Sequence, residues 1–206
     1  GRYEKAAACY RTALKLLPDS AEIHGNYALV LMERERHQEA LQELQQAVRL
    51  KPDFAEAYCS LGYVQKELGL YEESLRSCRR AIQIQDDMAG TFNCLGMSLH
   101  AYGRYEQAEK NYKRALELEP EYLQVYNNLG GLYYTRGRYR EAVQCYDNAI
   151  EIKSDYAEAR MNRALAFLVQ GDFERGWKEY KWRKRIKRPE QEDSVPYDGI
   201  QWNGQS

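Results

Sequence analysis

The chain has 206 residues, of which 44% are hydrophobic, and its 30 basic and 31 acidic residues leave a net charge of −1. That balance gives no overall pull toward nucleic acid or an anionic membrane. No apolar stretch reaches the ~18 residues that a membrane span needs, so a soluble chain is expected, and five cysteines without a disulfide framework make the cytoplasm its expected compartment. Gly1-Arg2-Tyr3-Glu4 shows neither an initiator methionine nor a signal segment, and the chain is expected to begin inside a longer protein. Cys9, Cys59, Cys78, Cys94 and Cys145 form no Cys-x-x-Cys pair and have no histidine at ligand spacing. Reduced thiols packed in helices are therefore expected, without a metal site.

A period of 34 residues organises the chain. Residues 1–20 read as the second helix of a truncated unit, in which Tyr3, Ala6, Ala13 and Leu16 open four columns. Pro18 closes it, and Pro52 and Pro120 recur at multiples of the period. Complete units are expected at 21–54, 55–88, 89–122, 123–156 and 157–188. The column from Ala13 runs through Ala47, Ala81, Ala115 and Ala149, and that from Leu16 through Leu50, Ile84, Leu118, Ile152 and Ile186. The unit at 89–122 shows the internal plan. Phe92, Leu95, Gly96 and Leu99 mark one face of a first helix, Gly103 breaks it, and Tyr105, Ala108, Tyr112, Ala115 and Leu116 mark a second.

Asp19, Asp53 and Asp155 are each followed three residues later by Glu22, Glu56 and Glu158, which predicts an aspartate capping box at those helix starts. Ala28, Gly62, Gly96, Gly130 and Ala164 let helix axes approach, while Tyr10, Leu44, Tyr112, Tyr146 and Tyr180 fill the space between layers. One helix pair cannot bury its own face, so stability is expected from stacking. The helical register is expected to run to Arg188-Pro189, because proline cannot continue a helix. Residues 189–206 read as a linker toward an absent downstream domain, with Trp202 docking either there or back near Trp177.

These residues resemble the tetratricopeptide repeat. Its pattern is met by Phe92, Leu95, Gly96, Leu99, Ala108, Tyr112, Ala115 and Pro120, and again by Tyr126, Leu129, Gly130, Tyr133, Ala142 and Tyr146. The resemblance covers about residues 1–187 and implies an all-α, right-handed superhelical solenoid of antiparallel helix pairs. It departs from the pattern at His24 and Ala28, and at Arg160, Arg163 and Arg183, which suggest that 157–188 is a divergent capping unit. Gly171-Asp172-Phe173, Gly176-Trp177, Glu179-Tyr180 and Trp182-Arg183 are similar to the segment closing the repeats in bacterial proteins that carry a glycosyltransferase domain. That likeness implies such a domain beyond Ser206.

Catalysis is not expected. There is no phosphate-cradling loop, His24, His37 and His100 stand in ordinary helix columns, and the carboxylates are spread with Lys and Arg at helical spacing. No cofactor or metal is implied. The basic run Lys178, Lys181, Arg183, Lys184, Arg185, Lys187 and Arg188 is followed at once by Glu190, Glu192 and Asp193, which argues against nucleic acid.

The resemblance implies that the first helix of each unit lines a concave groove for a protein or peptide ligand. Candidate groove residues are Asn26, Glu56, Cys59, Tyr63, Asn93, Met97, His100, Asn127, Asn128, Tyr134 and Asn162. The lysine and arginine of the carboxylate-gripping co-chaperone branch are absent. An asparagine column, Asn26, Asn128 and Asn162, interrupted by Ser60 and Cys94, is similar to the ladder in O-linked N-acetylglucosamine transferase. An amide both donates and accepts, which suits an extended peptide backbone. The expected function is peptide or partner binding beside an enzyme domain, or alternatively a free-standing scaffold.

Overall fold

The structure, a computed structural model, describes residues 2–186. Eleven α-helices follow one another among them: α1 (Arg2–Leu16), α2 (Ala21–Met32), α3 (His37–Leu50), α4 (Ala55–Glu67), α5 (Tyr71–Ile84), α6 (Ala89–Ala101), α7 (Tyr105–Leu118), α8 (Leu123–Thr135), α9 (Tyr139–Ile152), α10 (Ala157–Val169) and α11 (Phe173–Tyr180), then a 3₁₀ turn at Lys181–Arg185. No strand occurs among the described residues. The fold is a right-handed superhelical solenoid of antiparallel helix pairs.

Each pair is closed by one repeated turn. Gly69, Gly103, Gly137 and Gly171 take φ of +75°, +77°, +73° and +81°, and Glu35 holds the equivalent place at +56°. The next amide bonds back to the first helix in all five turns, Leu70 to Gln65, Arg104 to Leu99, Arg138 to Tyr133, Asp172 to Phe167 and Arg36 to Leu31, at 2.8–3.0 Å. Orphan carbonyls at the helix end are thereby satisfied.

The aspartate capping box does not form. Asp19, Asp53 and Asp155 lie one residue outside the N-caps, which are Ser20, Phe54 and Tyr156. Among these three only Ser20 caps through its side chain, accepting from the Ile23 amide at 3.4 Å. An apolar residue takes that position elsewhere because it packs inward, as where the Phe54 ring lies over Gly25. Glu22, Glu56 and Glu158 do sit in first turns, where the helix dipole favours a carboxylate.

Successive first helices touch one another, α2 with α4, α4 with α6, α6 with α8 and α8 with α10, whereas successive second helices do not. The first helices therefore line the inner side of the curve. Packing depth comes from the small columns. A Cβ placed on Gly96 would stand 2.7 Å from the Tyr112 ring, and one on Gly130 would stand 2.5 Å from that of Tyr146.

The apolar core is two clusters. One joins α1 to α4 through Tyr27, Leu31, Leu44, Leu61 and Val64; the other joins α5 to α10 through Leu75, Leu99, Tyr112, Leu132 and Tyr146. They part between α4 and α5, where the Ser74 hydroxyl donates to the Gly62 carbonyl at 2.6 Å and that of Ser77 to Gln65 at 2.7 Å.

At the far end α11 stops at Tyr180, short of the register expected to Arg188. The chain turns instead, because Trp182 folds beneath Arg160, whose guanidinium lies 4.6 Å from the ring centre, so that the 3₁₀ turn packs on α10. The expected linker at 189–206 and the docking of Trp202 lie outside the described residues.

Candidate peptide-binding groove

Six of the expected groove residues come together in the stack from α6 to α10. Asn128 Nδ2 donates to Asn93 Oδ1 at 3.0 Å, and Asn162 Nδ2 donates to Asn127 Oδ1 at 2.9 Å. Met97, His100, Asn127, Asn128 and Asn162 line one cavity of about 470 Å³ with Lys66, Ala101, Tyr105, Tyr112 and Gly131. A Cβ on Gly131 would meet nothing within 4 Å, so the floor is open there. Each amide pair uses one donor group and one acceptor. The amino groups of Asn93 and Asn127 and the carbonyl oxygens of Asn128 and Asn162 keep hydrogen-bonding capacity for a ligand.

His100 packs edge-on against Tyr105, with centroids 5.8 Å apart, and burial lowers its pKa below the ordinary value of 6.5. The imidazole is therefore neutral at pH 7 and adds no charge to the cavity. Lys66 is the cation of this lining that sequence reasoning passed over; it pairs with Glu67 and lies 5.0 Å from the Tyr63 ring centre. Its signal was available, since it stands one period before His100.

The remaining expected residues fall elsewhere. Tyr63 lines a separate cavity of about 440 Å³ with Met32, Glu33, Glu35, His37 and Glu67. Burial and the neighbouring Glu67 raise the Tyr63 hydroxyl to about 12. Asn26 and Glu56 are exposed outside both linings. Cys59 is half-buried, and burial pushes its thiol up to about 11, which leaves it a neutral packing group. Tyr134 stacks edge-on against Tyr139 at 5.4 Å instead of lining the cavity. Cys94 has turned inward to place its sulfur 3.2 Å from that of Cys78, so this rung of the expected column faces the core. No group of three or more potential metal ligands occurs among the described residues.

Repeat models of one family match nearly the whole described chain. Models described as TPR repeat match residues 1–33 and 28–69, and models described as tetratricopeptide repeat match 55–88, 87–155 and 132–180. The chain is a tetratricopeptide-repeat protein. That family is one of interaction modules rather than enzymes. No curated protein matches the tetratricopeptide-repeat chain in sequence.

Solved structures show the same fold. A crystal structure of MamA protein is 20% identical with a TM-score of 0.64, over 80% of this chain and 90% of that one. YrrB, described as a TPR protein with an unusual peptide-binding site, is 20% identical with a TM-score of 0.61, over 88% and 93%. The pilF protein of Pseudomonas aeruginosa is 23% identical with a TM-score of 0.73, over 90% and 84%. No helix of the described residues is long and apolar enough to cross a membrane.

Proposed function

We propose that the tetratricopeptide repeats bind an extended segment of a partner protein, held by its backbone in the cavity between α6 and α10. The observation that carries this reading is the double amide pair, Asn93 with Asn128 and Asn127 with Asn162, of which Asn127, Asn128 and Asn162 line a 470 Å³ concavity. Amides that order one another before a ligand arrives lower the entropic cost of binding. Because they read donors and acceptors rather than charge, they suit a main chain with little sequence preference. Met97 and Tyr105 supply the apolar contact. YrrB, a TPR protein with a peptide-binding site, supports the same reading by fold alone.

Peptides selected by this chain from a random library provide the ligand for the test. Replacing Asn127 and Asn128 together by alanine should weaken their binding by roughly 1–3 kcal/mol, with helicity retained. Unchanged titration curves would exclude this cavity as the site.

The likeness of residues 171–183 to the closing segment of bacterial glycosyltransferase-linked repeats supports the further reading that such a domain follows in a longer protein. The matched models are repeat models only and bear on the interaction module alone. A free-standing scaffold is the alternative. A gene encoding alternating strands and helices after Ser206 decides for the enzyme-linked form.

A further inference from the structure

The cavity around Tyr63 continues the groove of the amide pairs. Met32, Lys66 and His100 stand one period apart, as do Tyr63, Met97 and Gly131, and His37 stands two periods before Tyr105. In each of these columns the first residue lines the Tyr63 cavity and the later ones line the amide cavity. Successive repeats therefore build both cavities at the same place on the inner side of the curve. The boundary lies on α4, where Lys66 lines the amide cavity, Glu67 lines that of Tyr63, and the two pair with each other. An extended peptide held at the amides and continuing along the inner helices enters the Tyr63 cavity.

What changes along the groove is charge. The amide cavity offers amides, a neutral histidine and one lysine that is already paired. The Tyr63 cavity is lined by Glu33, Glu35 and Glu67 and by no lysine or arginine. Glu67 is matched by Lys66, whereas Glu33 and Glu35 make no ion pair among the described residues. Glu33 accepts from the Tyr3 hydroxyl at 3.4 Å, which leaves its charge in place. The neighbouring guanidinium groups are committed, Arg34 to Glu4 at 3.0 Å and Arg36 to Glu39. Three carboxylates against one ammonium leave two negative charges without a protein cation.

The rest of the lining suits an organic cation. Tyr63 is 38% exposed, and Lys66 already lies 5.0 Å from its ring centre, so a cation against this ring is an arrangement the chain itself uses. Met32 gives an aliphatic wall for the methylenes of a long basic side chain, whose head then meets the carboxylates. His37 has a buried Nδ1 without a hydrogen-bond partner. With the proton on Nε2, that nitrogen is an acceptor that lacks a donor. The carboxylates do not converge on a point, since no group of three or more potential metal ligands occurs among the described residues. Their field repels phosphate, which argues against nucleic acid and anionic lipid.

We infer that the Tyr63 cavity takes a lysine or arginine side chain of the same partner segment whose backbone the amides hold, so that Glu33 and Glu35 set its sequence preference. This rests on the amide reading for the place of the backbone.

The test selects phage-displayed random dodecapeptides against the full chain. One selected peptide is then synthesised with a fluorescein label, beside counterparts that carry norleucine or glutamate in place of its basic residue. The selected pool should be enriched in lysine and arginine at one position. Norleucine there should cost at least about fivefold in affinity, and glutamate more. Raising salt from about 0.05 M to about 0.5 M should weaken the basic peptide and spare the norleucine one. Glu33→Gln with Glu35→Gln, at exposed positions, should bind the two peptides equally, with unchanged helicity and melting. Asn127→Ala with Asn128→Ala should weaken every peptide alike and keep the preference for the basic one. A pool without basic enrichment, equal binding of the norleucine peptide by the parent, or an undiminished preference in the double glutamate variant would overturn the inference and leave the amide reading standing. Unchanged affinity in the double asparagine variant would instead remove the amide reading, and with it the placement of this side chain. Failure to select any peptide would overturn both.

Discussion

Gly130 and Gly131 are neighbours on α8, yet a methyl group added to each meets opposite surroundings. On Gly130 it would stand 2.5, 2.8 and 2.9 Å from three carbons of the Tyr146 ring; on Gly131 it would meet nothing within 4 Å. Ordinary carbon contacts need about 3.5 Å, so the ring must retreat by about 1 Å. Tyr146 is 2% exposed and has no free space to retreat into. Overpacking of this kind costs about 1–3 kcal/mol. Both alanines gain up to ~1 kcal/mol of helix propensity, and comparing them cancels that gain. Gly130→Ala should therefore be less stable than Gly131→Ala by roughly 1–3 kcal/mol in urea unfolding followed by circular dichroism. Thermal midpoints should separate by about 2–4 °C per kcal/mol. The first repeat supplies a rescue, since it places Ala28 with Leu44 where this one has Gly130 with Tyr146. Gly130→Ala with Tyr146→Leu should recover most of the loss. If the two single alanine variants unfold together, or leucine gives no rescue, close approach at the glycine column is not what sets this interface.

Glu35 holds a left-handed conformation that glycine takes in the other four turns. Glu35→Gly should raise stability by about 0.5–1 kcal/mol, the relief of backbone strain exceeding the added chain entropy; a lower melting temperature would contradict it. Glu109 accepts from Tyr133 and Arg138 at 2.9 Å each and from Lys113 at 2.8 Å, joining α7 to α8 and α9. Burial works to raise its pKa, but those donors outweigh it and hold the carboxyl below its ordinary 4.5. A lowered folded pKa gives stability that is full above the unfolded value and is lost as pH falls through the folded one. Glu109→Gln should therefore cost about 1–2 kcal/mol at pH 7, and the gap from the parent should close below about pH 4; a gap that persists in acid would refute the assignment.

Column reading at the period recovered what repeats: the helix pairs, the small residues and the rings that oppose them. Gly96 with Tyr112 and Gly130 with Tyr146 were legible because each column lacks what the other provides. Contacts that run diagonally were not. Asn128 meets Asn93 and Asn162 meets Asn127, each 35 residues apart, so aligning like with like hid the pairs that order the cavity. The caps were misplaced by one residue because an acidic side chain at a helix start looks like a cap, whereas Phe54 and Tyr156 take the position by packing. The early end of α11 depends on Trp182 meeting Arg160, a contact between residues 22 apart that no local pattern shows.

In a stack, each repeat is stabilised chiefly by its neighbours. The change from one apolar cluster to the other falls inside a single helix pair, α4 with α5, where Gly62, Gln65, Ser74 and Ser77 meet through hydrogen bonds and a Cβ on Gly62 would stand 2.5 Å from the Cys78 sulfur, so the two helices are tightly joined. The two amide pairs stand on α6, α8 and α10, all within the second cluster. Lys66 alone reaches the same cavity from α4, which belongs to the first. Because α4 packs closely on both α5 and α6, Lys66 is held at a set place relative to the amides.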